Sequence, residues 1–303
     1  MEPLFITDVG PRDGLQSQST PVDVEDKLRL IHALFDAGLR SVEATSFVSP
    51  KAVPQMADAD QLLPRIAQPA AASVSALVPN IRGLERAMVA GASHVAVVLS
   101  ATDTMNRKNI GMDLQRATQT CEETLQRASA MGLQTRAYVA VAFECPFEGP
   151  TPSRTVAELA LRMADCGAGE IVIADTIGAA GPQQVKVLLD TLLIRFSVSS
   201  LGMHFHDTRG MALCNSWAAM ELGLRRFDAS IGGLGGCPFA PGAAGNLATE
   251  DLVLLAGQSG YETGVDLAKL LRVVDLAQEL VGYQIGGRSA RWLRTASIST
   301  NVR

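Results

Sequence analysis

No stretch of this chain approaches the eighteen or so consecutive apolar residues that a membrane-spanning helix needs. No block of lysines and arginines occurs either, and no basic face interleaved with aromatics, so nucleic acid is not expected as a partner. The N-terminus lacks a basic region leading into an apolar segment, so no signal peptide is expected. Cysteine is sparse and odd in number: Cys121, Cys145, Cys166, Cys214 and Cys237 form neither a CxxC pair nor a disulfide-dense pattern. That usage fits a reducing compartment, and a soluble, cytoplasmic protein is the expectation. A nucleophile elbow, a P-loop and a G-x-G-x-x-G after the first strand are all missing, which sets aside dinucleotide binding. Ser/Pro-rich linkers and short repeats are missing too, so one domain is expected.

What is present is a core-forming composition. Hydrophobic residues make up 47% of the 303 and charged residues 19%, with a net charge of −5. The acidity is global, which leaves room for a local basic patch that takes an anionic ligand.

Short β-like runs alternate with longer helix-like ones. Strands are predicted at 4–9, 41–46, 71–77, 94–99, 135–141, 170–175, 201–206 and 226–231. Helices are predicted at 24–37, 81–90, 113–131, 155–165, 183–195 and 211–222, with an interrupted piece at 50–64. Two more follow, near 246–256 and 267–280. Five of the helices run into a glycine where a C-cap wants positive φ. Eight strands in βα alternation predict a closed α/β (β/α)8 TIM barrel over 4–271. Residues 272–303 are read as a C-terminal helical extension of the same unit.

Active sites of such barrels lie where strands end and βα loops begin. Those positions hold Asp8 to Asp13, Glu43 to Phe47, Glu144, Asp175, His204 to Asp207 and the loop after Ile231. His204 and His206, two apart on a strand, project to one face with Phe205 on the other. Such a pair is either half of a metal site or part of a polar layer inside the barrel. Asp13 is placed to complete a metal site and Arg12 to meet an anion or developing oxyanion; the alternative is an ordinary Asp/Gly turn. Oxygen and imidazole ligands together suit Mg²⁺ or Mn²⁺ better than a thiolate zinc site. Six glycines between Ile231 and Asn246 predict a loop with Cys237 at its centre, a thiol for proton transfer or an incidental one. Asn246 ends that loop where a helix is expected to start, the place of an N-cap. Glu43 and Asp175 are candidates to orient a water or an arginine, or plain ion-pair partners.

Five motifs then carry a family resemblance: Val9-Gly-Pro-Arg-Asp-Gly-Leu-Gln16, Glu43-Ala-Thr-Ser-Phe-Val-Ser-Pro-Lys51, Asp175-Thr-Ile-Gly178, His204-Phe-His-Asp-Thr208 and Gly233-Leu-Gly-Gly-Cys-Pro-Phe-Ala240. Together they closely resemble the 3-hydroxy-3-methylglutaryl-CoA lyases, among the metal-dependent TIM-barrel lyases, from about Leu4 to Leu271. The resemblance implies retro-Claisen cleavage of that acyl-CoA to acetyl-CoA and acetoacetate. It implies a divalent cation on Asp13, His204, His206 and Asn246, with Arg12 stabilising the enolate and Cys237 moving a proton. Glu43 and Asp175 join the catalytic set; Arg12, Gln16 and Ser46 are expected to bind substrate. A homodimer is carried over on the same ground. Three positions depart from the family pattern: Arg209 where an aromatic is usual, Ser17-Gln-Ser-Thr20 where a lysine is common, and Glu144 where a small residue is typical. They leave room for another 3-hydroxy-3-alkyl acyl-CoA, such as citramalyl-CoA, or for a catalytically silent binding barrel.

Overall fold

The structure, a computed structural model, describes residues 1–236 and 245–300, with side chains as far as Thr295. Eight parallel strands close a barrel in chain order: β1 (Phe5–Asp8), β2 (Ser41–Ser46), β3 (Ser73–Leu77), β4 (His94–Ser100), β5 (Gln134–Ala140), β6 (Glu170–Asp175), β7 (Leu201–Phe205) and β8 (Arg226–Ala229). Each lies where the alternation predicts, with ends moved by at most two residues.

Strand periodicity explains the layering. In β5, Ala137 and Val139 face the helices and join the main core, whereas Arg136 and Tyr138 face the barrel interior. In β7 and β8, Met203, Phe205, Phe227 and Ala229 face outward in the same way, leaving His204 and Asp228 to meet inside. The main core therefore lies between barrel and helices. The interior is mostly polar, relieved by a small cluster of Ala96, Tyr138 and Val172.

Local chemistry sets the helix ends. Asp23, Asn80, Asp113 and Asp266 each accept the backbone N–H three residues on. Each such cap is worth about 1 kcal/mol. Gly38, one of the predicted C-caps, has φ +102°, and a Cβ there would lie 2.3 Å from the Gly264 carbonyl oxygen. Its glycine is required twice over.

Some expectations need correction. The helix predicted at 246–256 is Thr249–Gln258, because Asn246 is drawn into an antiparallel bridge with His206. Asn246 is therefore not an N-cap. The interrupted piece at 50–64 is three short turns between Pro54 and Arg65. Patterning missed the helix Asp103–Ile110 and a two-residue hairpin pairing Glu144–Cys145 with Gly149–Pro150, while the expected C-terminal helical extension holds the helix Ala290–Thr300. That last helix packs Ala290 and Leu293 on Leu271. Among the described residues no helix is long and apolar enough to cross a membrane.

Carboxylates fasten the barrel's closing segments. Asp8 accepts from Gly10 N–H (2.8 Å) and from the Thr249 hydroxyl (2.7 Å). Glu250 accepts from Gly232 and Gly287, and Asp251 from Arg288 and Ser289. Burial, helped by Glu250, pushes Asp8 up to about 7 against these hydrogen bonds. The folded chain thus holds a proton that the unfolded chain releases near pH 4. Stability from this group is complete below pH 4 and falls as pH rises towards 7, by up to about 4 kcal/mol. Asp8→Asn is expected to flatten that decline; urea midpoints at pH 5 and pH 8 for both proteins check it, and equal slopes would count against it.

Candidate metal centre

The site starts from one turn of π-helix, Gly10–Gly14, directly after β1. The Val9 carbonyl collects the N–H groups of Arg12, Asp13 and Gly14, which turns Arg12 and Asp13 into the barrel mouth. Both flanking glycines are needed for space. A Cβ at Gly10 would lie 2.8 Å from an Asp8 oxygen, and one at Gly14 2.8 Å from the Leu234 Cβ.

Asp13, His204 and His206 converge, one ligand atom from each lying within 4.8 Å of the others. His204 Nδ1 is 3.1 Å from Asp228 Oδ2. Burial raises Asp228, but Arg136 and His204 outweigh it and keep its pKa below the usual carboxylate value. An ionised carboxylate only accepts, so Nδ1 carries a hydrogen and Nε2 is the nitrogen left to ligate. Against burial, Asp228 and Asp13 raise the His204 pKa, so a cation there would displace a proton at lower pH. Burial and the neighbouring His204 pull His206 down to about 4, so it is neutral and able to ligate. Burial opposes ionisation of Asp13, yet Arg12 and the two histidines hold its pKa at about 2.

Two orphaned atoms test whether a cation fits. Asn246 Nδ2 donates to Asp13 Oδ2 (2.8 Å) and to the Leu234 carbonyl (2.9 Å), which leaves its Oδ1 buried without a partner. His206 Nδ1 is buried and unpartnered as well. A carboxylate, two imidazoles and an amide oxygen with unused lone pairs make a donor set suited to a hard divalent cation.

Arg12 lies beside this set. Its Nη1 donates to Asp13 Oδ1 (2.6 Å), and its Nε and Nη2 engage Glu43. Burial alone would lower Arg12, but Glu43 and Asp13 together raise it, so its charge is permanent. Glu43 is fully buried, with Oε1 unpartnered, and burial raises its pKa despite Arg12. Asp175 behaves otherwise. Both its oxygens accept backbone N–H groups, from Ala179 (2.8 Å) and Ala180 (3.0 Å), and burial pushes it up to about 6. Ser46 ends β2 fully buried with an unpartnered hydroxyl, while Gln16 is half-buried just past the turn. Cys237 lies outside the described residues.

Sequence reasoning missed Asp228, Arg136 and Tyr138. Arg136 Nη2 is 2.8 Å from Asp228 Oδ1, and the Tyr138 hydroxyl donates to Asp228 Oδ2 at 2.8 Å. The available signal was alternation, since each sits two residues from another inward polar side chain on a barrel strand. It also missed Val141, whose φ of +49° is the one positive value outside glycine among the described residues. Thr176 and Thr151 hold this β-branched residue from both sides, at its N–H (2.8 Å) and its carbonyl (2.7 Å).

The fold and mouth define a TIM-barrel protein with a candidate divalent-metal centre built from the ends of β1 and β7 and the segment after β8. A family model described as HMGL-like matches residues 4–277. The chain belongs to that family. It is 40% identical to the hydroxymethylglutaryl-CoA lyase of Bacillus subtilis over 96% of this chain and 97% of that one. The crystal structure of a Bacillus subtilis HMG-CoA lyase superposes with a TM-score of 0.94 at 40% identity, covering 97% of this chain and 99% of the other. An HMG-CoA lyase from Acinetobacter baumannii, solved with coenzyme A and 3-methylmalate, gives 0.91 at 39% identity over 95% and 94% of the two chains.

Proposed function

We propose that this protein is a divalent-metal-dependent carbon–carbon lyase that cleaves 3-hydroxy-3-methylglutaryl-CoA to acetyl-CoA and acetoacetate. The observation that carries the reading is the convergence of Asp13, His204 and His206 beside a permanently charged Arg12, in a chain with near full-length relatives of that name. Asp13, His204, His206 and Asn246 would hold the cation, Mg²⁺ or Mn²⁺, which when bound supplies Lewis acidity and orientation to the substrate's hydroxyl and carboxylate oxygens.

The remaining chemistry belongs to the chain. A base at the mouth takes the proton of the tertiary hydroxyl, and the oxygen's electron pair forms the new ketone. The bond between C2 and C3 breaks, and its electron pair passes to the thioester as an enolate. Arg12, held by Glu43 on one edge, presents charge where the thioester oxygen becomes negative, an interaction worth more in the transition state than in the bound substrate. Cys237 would donate a proton to the enolate carbon and release acetyl-CoA. Asp228 keeps the His204 tautomer. Glu43 and Asp175 act by positioning, Glu43 on Arg12 and Asp175 on the Ala179–Ala180 turn. Gln16 and Ser46 line the approach to the acyl group. A cytoplasmic homodimer is the expected state of the protein.

A coupled assay for acetyl-CoA release from this substrate and from citramalyl-CoA, each with Mg²⁺ and with chelator, tests the reading. Metal-dependent release favouring the first supports it. Preference for the second keeps the chemistry and changes the substrate, and no release from either overturns the proposal.

Arg209 bears on that choice. Its Nη1 donates to the Ala179 carbonyl (3.3 Å) and its Nη2 stands 4.0 Å from Glu144, beside the mouth. Arg209→Phe is expected to change the ratio of kcat/KM between the two esters by about tenfold. An unchanged ratio across a panel of acyl-CoA esters would remove Arg209 from substrate selection.

A further inference from the structure

The opposite end of the barrel holds a cavity of about 790 Å³, among the amino-terminal ends of the strands and lined by none of the candidate metal ligands. Its charged lining is Arg40, Arg136, Arg226 and Glu170, joined by His94 and Ser73. The volume falls within the usual range for a small-molecule site.

Arg136 closes its inner end. The residue is only 2% exposed, donates Nη1 to the Tyr138 hydroxyl (3.0 Å) and Nη2 to Glu170 (3.0 Å), and pairs with Asp228. Its Nε is buried with no partner. Arg226 lies over the Phe5 ring, donates Nε to the Ser199 carbonyl (3.0 Å), and has Nη1 4.0 Å from Glu170. Arg40 is exposed and makes no ion pair among the described residues. Three guanidiniums thus meet two carboxylates, Glu170 and Asp228, and both carboxylates are already engaged by Arg136. His94 adds no charge: burial, Arg136 and Arg226 pull its pKa down to about 4, and its Nδ1 is 3.0 Å from the Ser73 hydroxyl.

A half-open cavity with surplus positive charge, bordered by an arginine whose buried Nε–H is unpartnered, suits a small anion, because guanidinium forks match carboxylate and phosphate oxygens. We propose that the amino-terminal opening of the barrel binds a small carboxylate- or phosphate-bearing anion, held by Arg40 and Arg226 at the rim with Arg136 behind them. The site would be distinct from the acyl-CoA site. A single residue, Asp228, separates its inner end from His204.

The test is calorimetric titration of the full chain with malonate and, separately, with inorganic phosphate. The parent, the Arg40→Gln/Arg226→Gln double variant and Arg12→Gln are compared, Arg12→Gln reporting binding at the other end. Saturable binding that weakens about tenfold or more in the double variant and persists in Arg12→Gln supports the proposal. The anion that saturates distinguishes a carboxylate site from a phosphate site. Binding unaltered by the double variant, or absent up to about 50 mM of either anion, overturns it. Should the double variant fail to fold, Arg40→Gln alone, on an exposed side chain without an ion pair, carries the same comparison.

Discussion

Arg12→Gln is expected to lower kcat by about 10²–10³-fold while leaving KM and Mn²⁺ affinity within a few-fold of the parent. The guanidinium is joined to Asp13 on one edge and Glu43 on the other. Glutamine retains a donor but not the charge that would meet the enolate. Loss confined to kcat is the signature of an interaction made in the transition state alone. Breaking a buried pair also costs about 3–5 kcal/mol when the remaining charge stays uncompensated. Glu43, whose burial already raises its pKa, has an escape, because it can take up a proton instead. Adding Glu43→Gln should therefore restore thermal stability without restoring turnover. If the double variant regained activity, the role given to Arg12 would be wrong.

Asp13→Ala should remove activity by a factor of about 10³ or more, since a Lewis acid supplies several kcal/mol of transition-state stabilisation. Unlike Arg12→Gln, it should also abolish calorimetric Mn²⁺ binding. The variant loses the carboxylate that faces both histidines and the partner of the Asn246 amide. Asp228→Asn is the graded companion. It keeps shape but weakens the carboxylate that fixes His204, so a drop of about 10–100-fold in metal affinity is expected. Unchanged Mn²⁺ affinity in Asp13→Ala would place the cation elsewhere.

Much of this arrangement was legible in the residues themselves. His204 and His206 two apart, with Phe205 opposite, followed from strand alternation, and Phe205 indeed joins the outer core. Arg12 and Asp13 were legible because Gly10 and Gly14 frame them, although a π-turn has no sequence signature. The polar interior was not legible. In an ordinary half-buried strand the polar side chains face water, and Arg136, Tyr138 and Asp228 obey the same alternation while facing inward. Only barrel closure decides which face is which. Asn246 misled for a related reason, since an asparagine ahead of a helical pattern looks like a cap until its bridge to His206 is known.

The hydrogen bond from Asn246 to Asp13 joins residues 233 positions apart. A bond of that span closes nearly the whole chain into one loop, so the ligand set comes into being only when the last strand finds the first. Half-barrel fragments would carry either Asp13 or the histidines, never both. Cation affinity therefore reports completed topology, and a bound ion would act as a clasp on the barrel's seam. It would stabilise the closed chain by mass action, in a free energy that grows with the logarithm of its concentration over its dissociation constant. Assembly of so non-local a site belongs to the slow end of folding, after the local βα units have formed.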